Sequence, residues 1–130
     1  MGVIYLDSCI VIYDVEQNPV WSPIVLAAMA KVTSPLAISP LVKAECLVRP
    51  IRDGAIDLER VCLAAFGRLV TLDMPEPVFL EAARLRARHK LKMPDALHLA
   101  CAVHHGCSSF WTGDGRLAAA GGALVRTLSP

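Results

Sequence analysis

Four acidic residues stand where a chain rarely places them. Asp7 lies inside Val3-Ile4-Tyr5-Leu6-Asp7-Ser8-Cys9-Ile10-Val11-Ile12, and Glu45 interrupts Leu41-Val42-Lys43-Ala44-Glu45-Cys46-Leu47-Val48. Asp95 opens Pro94-Asp95-Ala96-Leu97-His98-Leu99-Ala100, and Asp114 follows Ser109-Phe110-Trp111-Thr112-Gly113. A lone carboxylate is costly to bury, so each placement asks for a partner to its charge. Together they predict one shared carboxylate cluster. Such acids repel one another and some would stay protonated without a counter-charge. Mg²⁺ or Mn²⁺ answers this, since hard cations prefer oxygen ligands and keep several waters. An acid-held metal suits phosphodiester hydrolysis: it activates water, stabilises transition-state charge and binds the leaving oxygen. Ser8 and Thr112, next to the acids, are candidates to orient a water or a phosphate oxygen.

Taken singly, each acid has a plainer role. Asp7 could cap a helix, Glu45 could be solvated beside Lys43, Asp95 could complement a helix N-terminus, and Asp114 could be a turn residue. Their joint recurrence is what argues for a site. His98, one helical turn from Asp95, reads as a packed histidine. His104 and His105 suit a helix C-terminus, Asp14 and Glu16 a solvated helix end, and Trp21 and Trp111 core or interface positions.

The elements that must position these acids alternate along the chain. Short apolar runs predict strands over Val3–Leu6, Leu36–Ser39, Leu69–Leu72, Ser109–Thr112 and Leu124–Thr127. The segments between them are long enough for helical crossovers between parallel strands. Ser22-Pro23 and Ser39-Pro40 predict capped helix starts, and Asp73-Met74-Pro75-Glu76 predicts an N-cap acid with Glu three residues on. Gly67 and Gly106 predict helix ends. The expected fold is α/β: an α/β/α sandwich on a parallel sheet of about five strands, with residues 1–130 forming one domain. Asp7 and Asp114 then follow the first and fourth strands, while Glu45 and Asp95 sit near helix starts. All four can converge at the carboxyl ends of the strands, where open parallel sheets bind ligands.

Composition narrows the function classes. The 130 residues carry 13 Lys/Arg against 12 Asp/Glu, a net charge of +1, which excludes a generic polyanion binder. A 55% apolar content points to a sheet covered on both faces, a covered apolar surface, or both. The longest stretch without Asp, Glu, Lys or Arg, Ala96 to Gly113, holds His98, His104 and His105 and is broken by Gly106, so no transmembrane segment is expected. The apolar run at the N-terminus has no basic region before it, unlike a secretory signal. Five Cys without a Cys-x-x-Cys spacing read as reduced thiols of a cytoplasmic protein, with neither a zinc site nor a disulfide framework. Basic residues gather in Arg84-Leu85-Arg86-Ala87-Arg88-His89-Lys90-Leu91-Lys92, just before Asp95. Arg86, Arg88, Lys90 and Lys92 are candidates to hold a phosphodiester backbone, although a solvated surface explains them equally well.

Asp7-Ser8 after the first strand, Glu45 after Ser39-Pro40, Pro94-Asp95-Ala96-Leu97-His98-Leu99-Ala100 and Thr112-Gly113-Asp114, in this order, together resemble a PIN domain. In length and alternation the chain is similar to the VapC-type toxins of bacterial and archaeal toxin–antitoxin modules. The resemblance implies a magnesium-dependent endoribonuclease, with Asp7, Glu45, Asp95 and Asp114 as the catalytic set and Asp7, Asp95 and Asp114 on the metal. It also implies silencing by a VapB-like antitoxin, from which a basic side chain reaches the carboxylates, and a homodimer. Two positions depart from the pattern: Cys9 stands where a small polar residue is frequent, and Gly113 where Asn is frequent. The rival readings are a catalytically silent PIN-like protein-binding module and a receiver-like domain phosphorylated on Asp73. The receiver needs a pair of acids after the first strand and a Lys after the fifth, and neither is present. A haloacid-dehalogenase-like phosphatase needs a second acid where Cys9 stands.

Overall fold

The computed structural model describes residues 2–130. Their elements, in chain order, are β1 (Ile4–Leu6), α1 (Ser8–Val15), α2 (Trp21–Ala30), β2 (Leu36–Ile38), α3 (Pro40–Arg52) and α4 (Ile56–Gly67). There follow β3 (Val70–Thr71), α5 (Glu76–Arg88), α6 (Met93–His104), β4 (Ser109–Thr112), α7 (Leu117–Gly121) and β5 (Val125–Thr127). The strands form one parallel sheet in the order β3-β2-β1-β4-β5. The chain steps outward from β1 to β3, then returns past β1 to β4 and β5. Right-handed crossovers therefore place α1 to α4 on one face and α5 to α7 on the other. α1 packs on α2, α3 and α4, and α5 on α6, as this winding requires. The reversal of direction leaves a crevice between the carboxyl ends of β1 and β4.

The expected α/β/α sandwich is thus the observed one, and burial on both faces accounts for much of its apolar content. β1 is buried throughout, with Tyr5 opposite Ala37 on β2 and Phe110 on β4. α6 is the most enclosed helix: every residue from Ala96 to Ala102 is buried. That helix brings Asp95 to the crevice as a half-buried residue at the edge of a buried run that is apolar except for His98. On α3, Val42, Cys46 and Pro50 recur at helical spacing and face the core. Pro50 has no N–H for the Cys46 carbonyl, which the Cys62 thiol of α4 approaches instead at 4.0 Å. The cysteines are all free, Cys9 half-buried and the others buried. Among the described residues no helix is long and apolar enough to cross a membrane.

Helix starts show where local rules compete. Ser39 caps α3 as expected, its hydroxyl accepting from Val42 N at 3.4 Å. Ser22 does not cap α2. Asn18 does, accepting from the backbone of Val20 and Trp21 at 3.0 Å each, while Ser22 is already inside the helical turn and donates to the Asn18 carbonyl. Asp73 does not cap α5 either, because α5 begins at Glu76 behind Pro75 and Asp73 is engaged by His105 of the α6 terminus at 3.1 Å. Gly106 ends α6 with φ +64, whereas Gly67 is simply the last residue of α4.

Candidate active site

β1 ends in Leu6, and the backbone of Asp7 continues the ladder by donating to Trp111 O at 2.9 Å. This places the Asp7 side chain at the β1/β4 crevice, only 6% exposed. Both of its oxygens are occupied. Oδ1 accepts from Ser8 N at 2.8 Å, and Oδ2 accepts from the buried Thr112 hydroxyl at 2.7 Å. The Thr112 oxygen in turn accepts from Asp114 N at 3.0 Å, so one hydroxyl locks the first acid to the loop carrying the last. The Thr112 hydroxyl, expected to orient a water or a phosphate oxygen, is instead bonded to the Asp7 carboxylate and the Asp114 backbone.

Cys9 packs beside them. Its Sγ lies 3.7 Å from Asp7 Oδ2 and accepts from Gly113 N at 3.4 Å. Burial, with the Asp7 charge next, pushes this thiol up to about 12, so it remains protonated and unreactive. Gly113 fits the place it holds, since a Cβ there would lie 3.3 Å from the Tyr13 ring and hydroxyl. Tyr13 itself stacks on Trp21, whose ring centroid is 4.6 Å away.

Glu45 reaches the crevice from the inner edge of α3. His98 Nε2 holds its Oε1 and stands 3.8 Å from Asp7 Oδ1, linking the two acids. Burial alone would raise the Glu45 carboxyl, but the hydrogen bond and charge of His98, helped by the Ser8 side chain, hold it below the usual range. Glu45 is thus ionised, and His98 must present a proton on Nε2. His98 Nδ1 pairs with the Tyr5 hydroxyl at 2.7 Å, the Tyr5 oxygen pairs with Ser39 Oγ at 2.7 Å, and Ser39 Oγ accepts from Val42 N. The chain starts and ends on α3. Every member is buried apart from Glu45, and among the described residues no buried side-chain polar atom lacks a partner. His98 is a packed histidine, as expected, but one that packs into the site.

Asp95 is half-buried in the first turn of α6. Its carboxyl is raised first by burial and then by the charges of Asp7 and Asp114, against smaller opposing effects of His98 and Arg116. Asp114 behaves oppositely. The Arg116 guanidinium grips both of its oxygens at 2.6 to 3.1 Å and, with the Lys92 charge contributing, holds it below the usual range. Of the basic run, Lys92 therefore acts on the cluster itself. Arg88 and Lys90 are exposed, and Arg86 donates to Leu91 O at 2.9 Å, tying the loop between α5 and α6.

All four acids thus border one crevice, and the charges of Asp7 and Asp114 add to burial in raising Asp95. Their oxygens suit a hard cation. Among the described residues, no three His, Cys, Asp or Glu side chains are already arranged to hold a metal ion. Asp114 is instead turned to Arg116, a cationic stand-in. Sequence reasoning missed Tyr5, Ser39 and Arg116. Tyr5 had a usable signal, since it shares a strand face with Asp7 two residues on. Arg116 had none beyond proximity.

The PIN domain family model matches residues 4–123. The chain belongs to the PIN domain family. Solved PIN-like structures share its fold over nearly the full length. A toxin–antitoxin complex from Klebsiella pneumoniae is 23% identical, with TM-score 0.79 over 95% of this chain and 96% of that one. Mycobacterium tuberculosis VapC20, a sarcin–ricin loop cleaving toxin, is 17% identical, with TM-score 0.79 over 95% and 98%. Rickettsia felis VapBC2 bound to a promoter DNA fragment is 17% identical, with TM-score 0.78 over 98% and 99%. No curated protein matches the sequence.

Proposed function

We propose that this PIN domain is a metal-dependent endoribonuclease acting as the toxin of a VapBC-like pair. The observation that carries the reading is the gathering of Asp7, Glu45, Asp95 and Asp114 at the β1/β4 crevice, each from a different element. Asp7, Asp95 and Asp114 are the residues that would hold Mg²⁺ or Mn²⁺. A bound ion there supplies an activated water and charge stabilisation at the scissile phosphate.

The chain's own residues do the rest. Thr112 and Ser8 hold Asp7 in one orientation. His98 occupies Glu45 Oε1, leaving the ionised carboxylate with Oε2 to accept a proton from the attacking water. Lys92, whose charge reaches Asp114, and the exposed Arg88 and Lys90 before it would attract the RNA backbone. The similar structures that are toxin–antitoxin complexes support a VapB-like antitoxin as partner. The exposed apolar residues Val20 and Leu26 of α2 and Val48 and Ile51 of α3 support coverage by that partner or by a second copy in a homodimer. The same reading places the protein in the cytoplasm.

The deciding experiment incubates purified protein with structured RNA, with Mg²⁺ or with chelator. Cleavage with metal, lost in chelator and lost in Asp7→Asn, is the expected result. Cleavage equal in wild type and Asp7→Asn, or none by the wild type, leaves the silent protein-binding module as the better account.

A further inference from the structure

Arg116 folds back onto the acid two residues before it. Nε lies 3.0 Å from Oδ1 and 3.1 Å from Oδ2 of Asp114, Nη2 lies 2.6 Å from Oδ2, and the Arg116 backbone N–H donates to Oδ1 at 3.0 Å. One neighbour therefore takes both oxygens of an acid on the candidate metal side of the crevice. The guanidinium charge also reaches Asp95. Yet the side chain is 76% exposed, so only the acids hold it there, and exposed ion pairs exchange readily. The loop needs no arginine for its packing, since Leu117 is the buried anchor of this turn.

We propose that Arg116 is the resident counter-ion of the crevice: a divalent cation takes Asp114 only by displacing the guanidinium, so Arg116 sets how tightly the site holds its metal. The inference rests on the metal-dependent reading above and deepens it. It accounts for the acids being gathered at one crevice without, among the described residues, three of them being arranged around one point.

The test titrates Mn²⁺ into the whole protein, following free Mn²⁺ by electron paramagnetic resonance. Wild type, Arg116→Gln, Asp114→Asn and the double variant are compared, with thermal melts confirming that each is folded. Arg116→Gln is expected to bind Mn²⁺ roughly three- to tenfold more tightly, the range that follows from removing one exposed counter-charge. In the Asp114→Asn background the same substitution should gain much less. Equal Mn²⁺ affinity in wild type and Arg116→Gln overturns the counter-ion role and leaves the metal reading standing. Failure of both proteins to bind Mn²⁺ overturns the two together.

Discussion

Asp95 is half-buried beside two other acids. Its folded-state carboxyl is raised by burial and by Asp7 and Asp114, so its contribution to stability is full below the unfolded value and is lost as pH rises through the folded one. At neutral pH the ionised group therefore works against folding. Asp95→Asn should melt above wild type at pH 7 without metal, and the gap should close towards pH 3, while RNA cleavage falls by orders of magnitude. A lower melting temperature at pH 7 would contradict the assigned charge balance. Tyr5 makes a second test at this scale. Tyr5→Phe strips a partner from both Ser39 and His98, buried groups whose loss of a bond costs about 1–3 kcal/mol. Urea unfolding should show that loss. Turnover should drop roughly tenfold, as when a group supporting a site ligand is removed. Unchanged turnover would confine the Tyr5–His98 chain to the fold.

At the scale of elements, the site depends on how α3 and α6 meet β1 and β4. α3 delivers Glu45 because its buried stripe Val42, Cys46, Pro50 fixes the helix rotation. α6 delivers Asp95 because the apolar run behind it is enclosed on all sides. The loop from α5 to α6 is the element that faces substrate in the proposed reaction. Changing Arg86, Arg88 and Lys90 together to Ala should weaken RNA binding and flatten its salt dependence, since fewer phosphate contacts release fewer counterions. Arg86→Ala alone should act mainly on loop stability, through its bond to Leu91 O. An unchanged salt slope in the triple variant would assign the run to a solvated surface.

For the whole molecule, the two faces of the sheet account for much of the apolar content, yet large apolar side chains remain outside. Ile56 and Leu63 of α4 and Phe79 and Leu80 of α5 are about half exposed or more, alongside those of α2 and α3. Exposed apolar surface of this kind marks interaction sites. Co-expression with the product of the neighbouring reading frame should give a soluble, nuclease-inactive complex, and the isolated chain should be toxic or poorly soluble. Harmless expression of an active monomer that binds no neighbouring product would sink the toxin reading.

Apolar runs alone placed each of the five strands within a residue, and the cap and glycine signals fell within about two residues of the ends they marked. The break between α3 and α4 and the five-residue α7 were not foreseen. The parallel α/β class followed from that alternation, and the position of each acid relative to its element followed from the same boundaries. Ser22 and Asp73 were misread because a capping residue is chosen by competition: Asn18 lay closer to the true helix start, and His105 claimed Asp73 from a helix remote in sequence. What only the tertiary structure decided is how the acids are neutralised. The Tyr5–His98–Glu45 chain joins β1, α6 and α3, so no local pattern encodes it. Arg116 is adjacent to Asp114 in sequence, but whether a long, exposed side chain turns towards the crevice or to solvent depends on the summed field of Asp95 and Asp114. That field exists only once α6 and the β4 loop have been brought together.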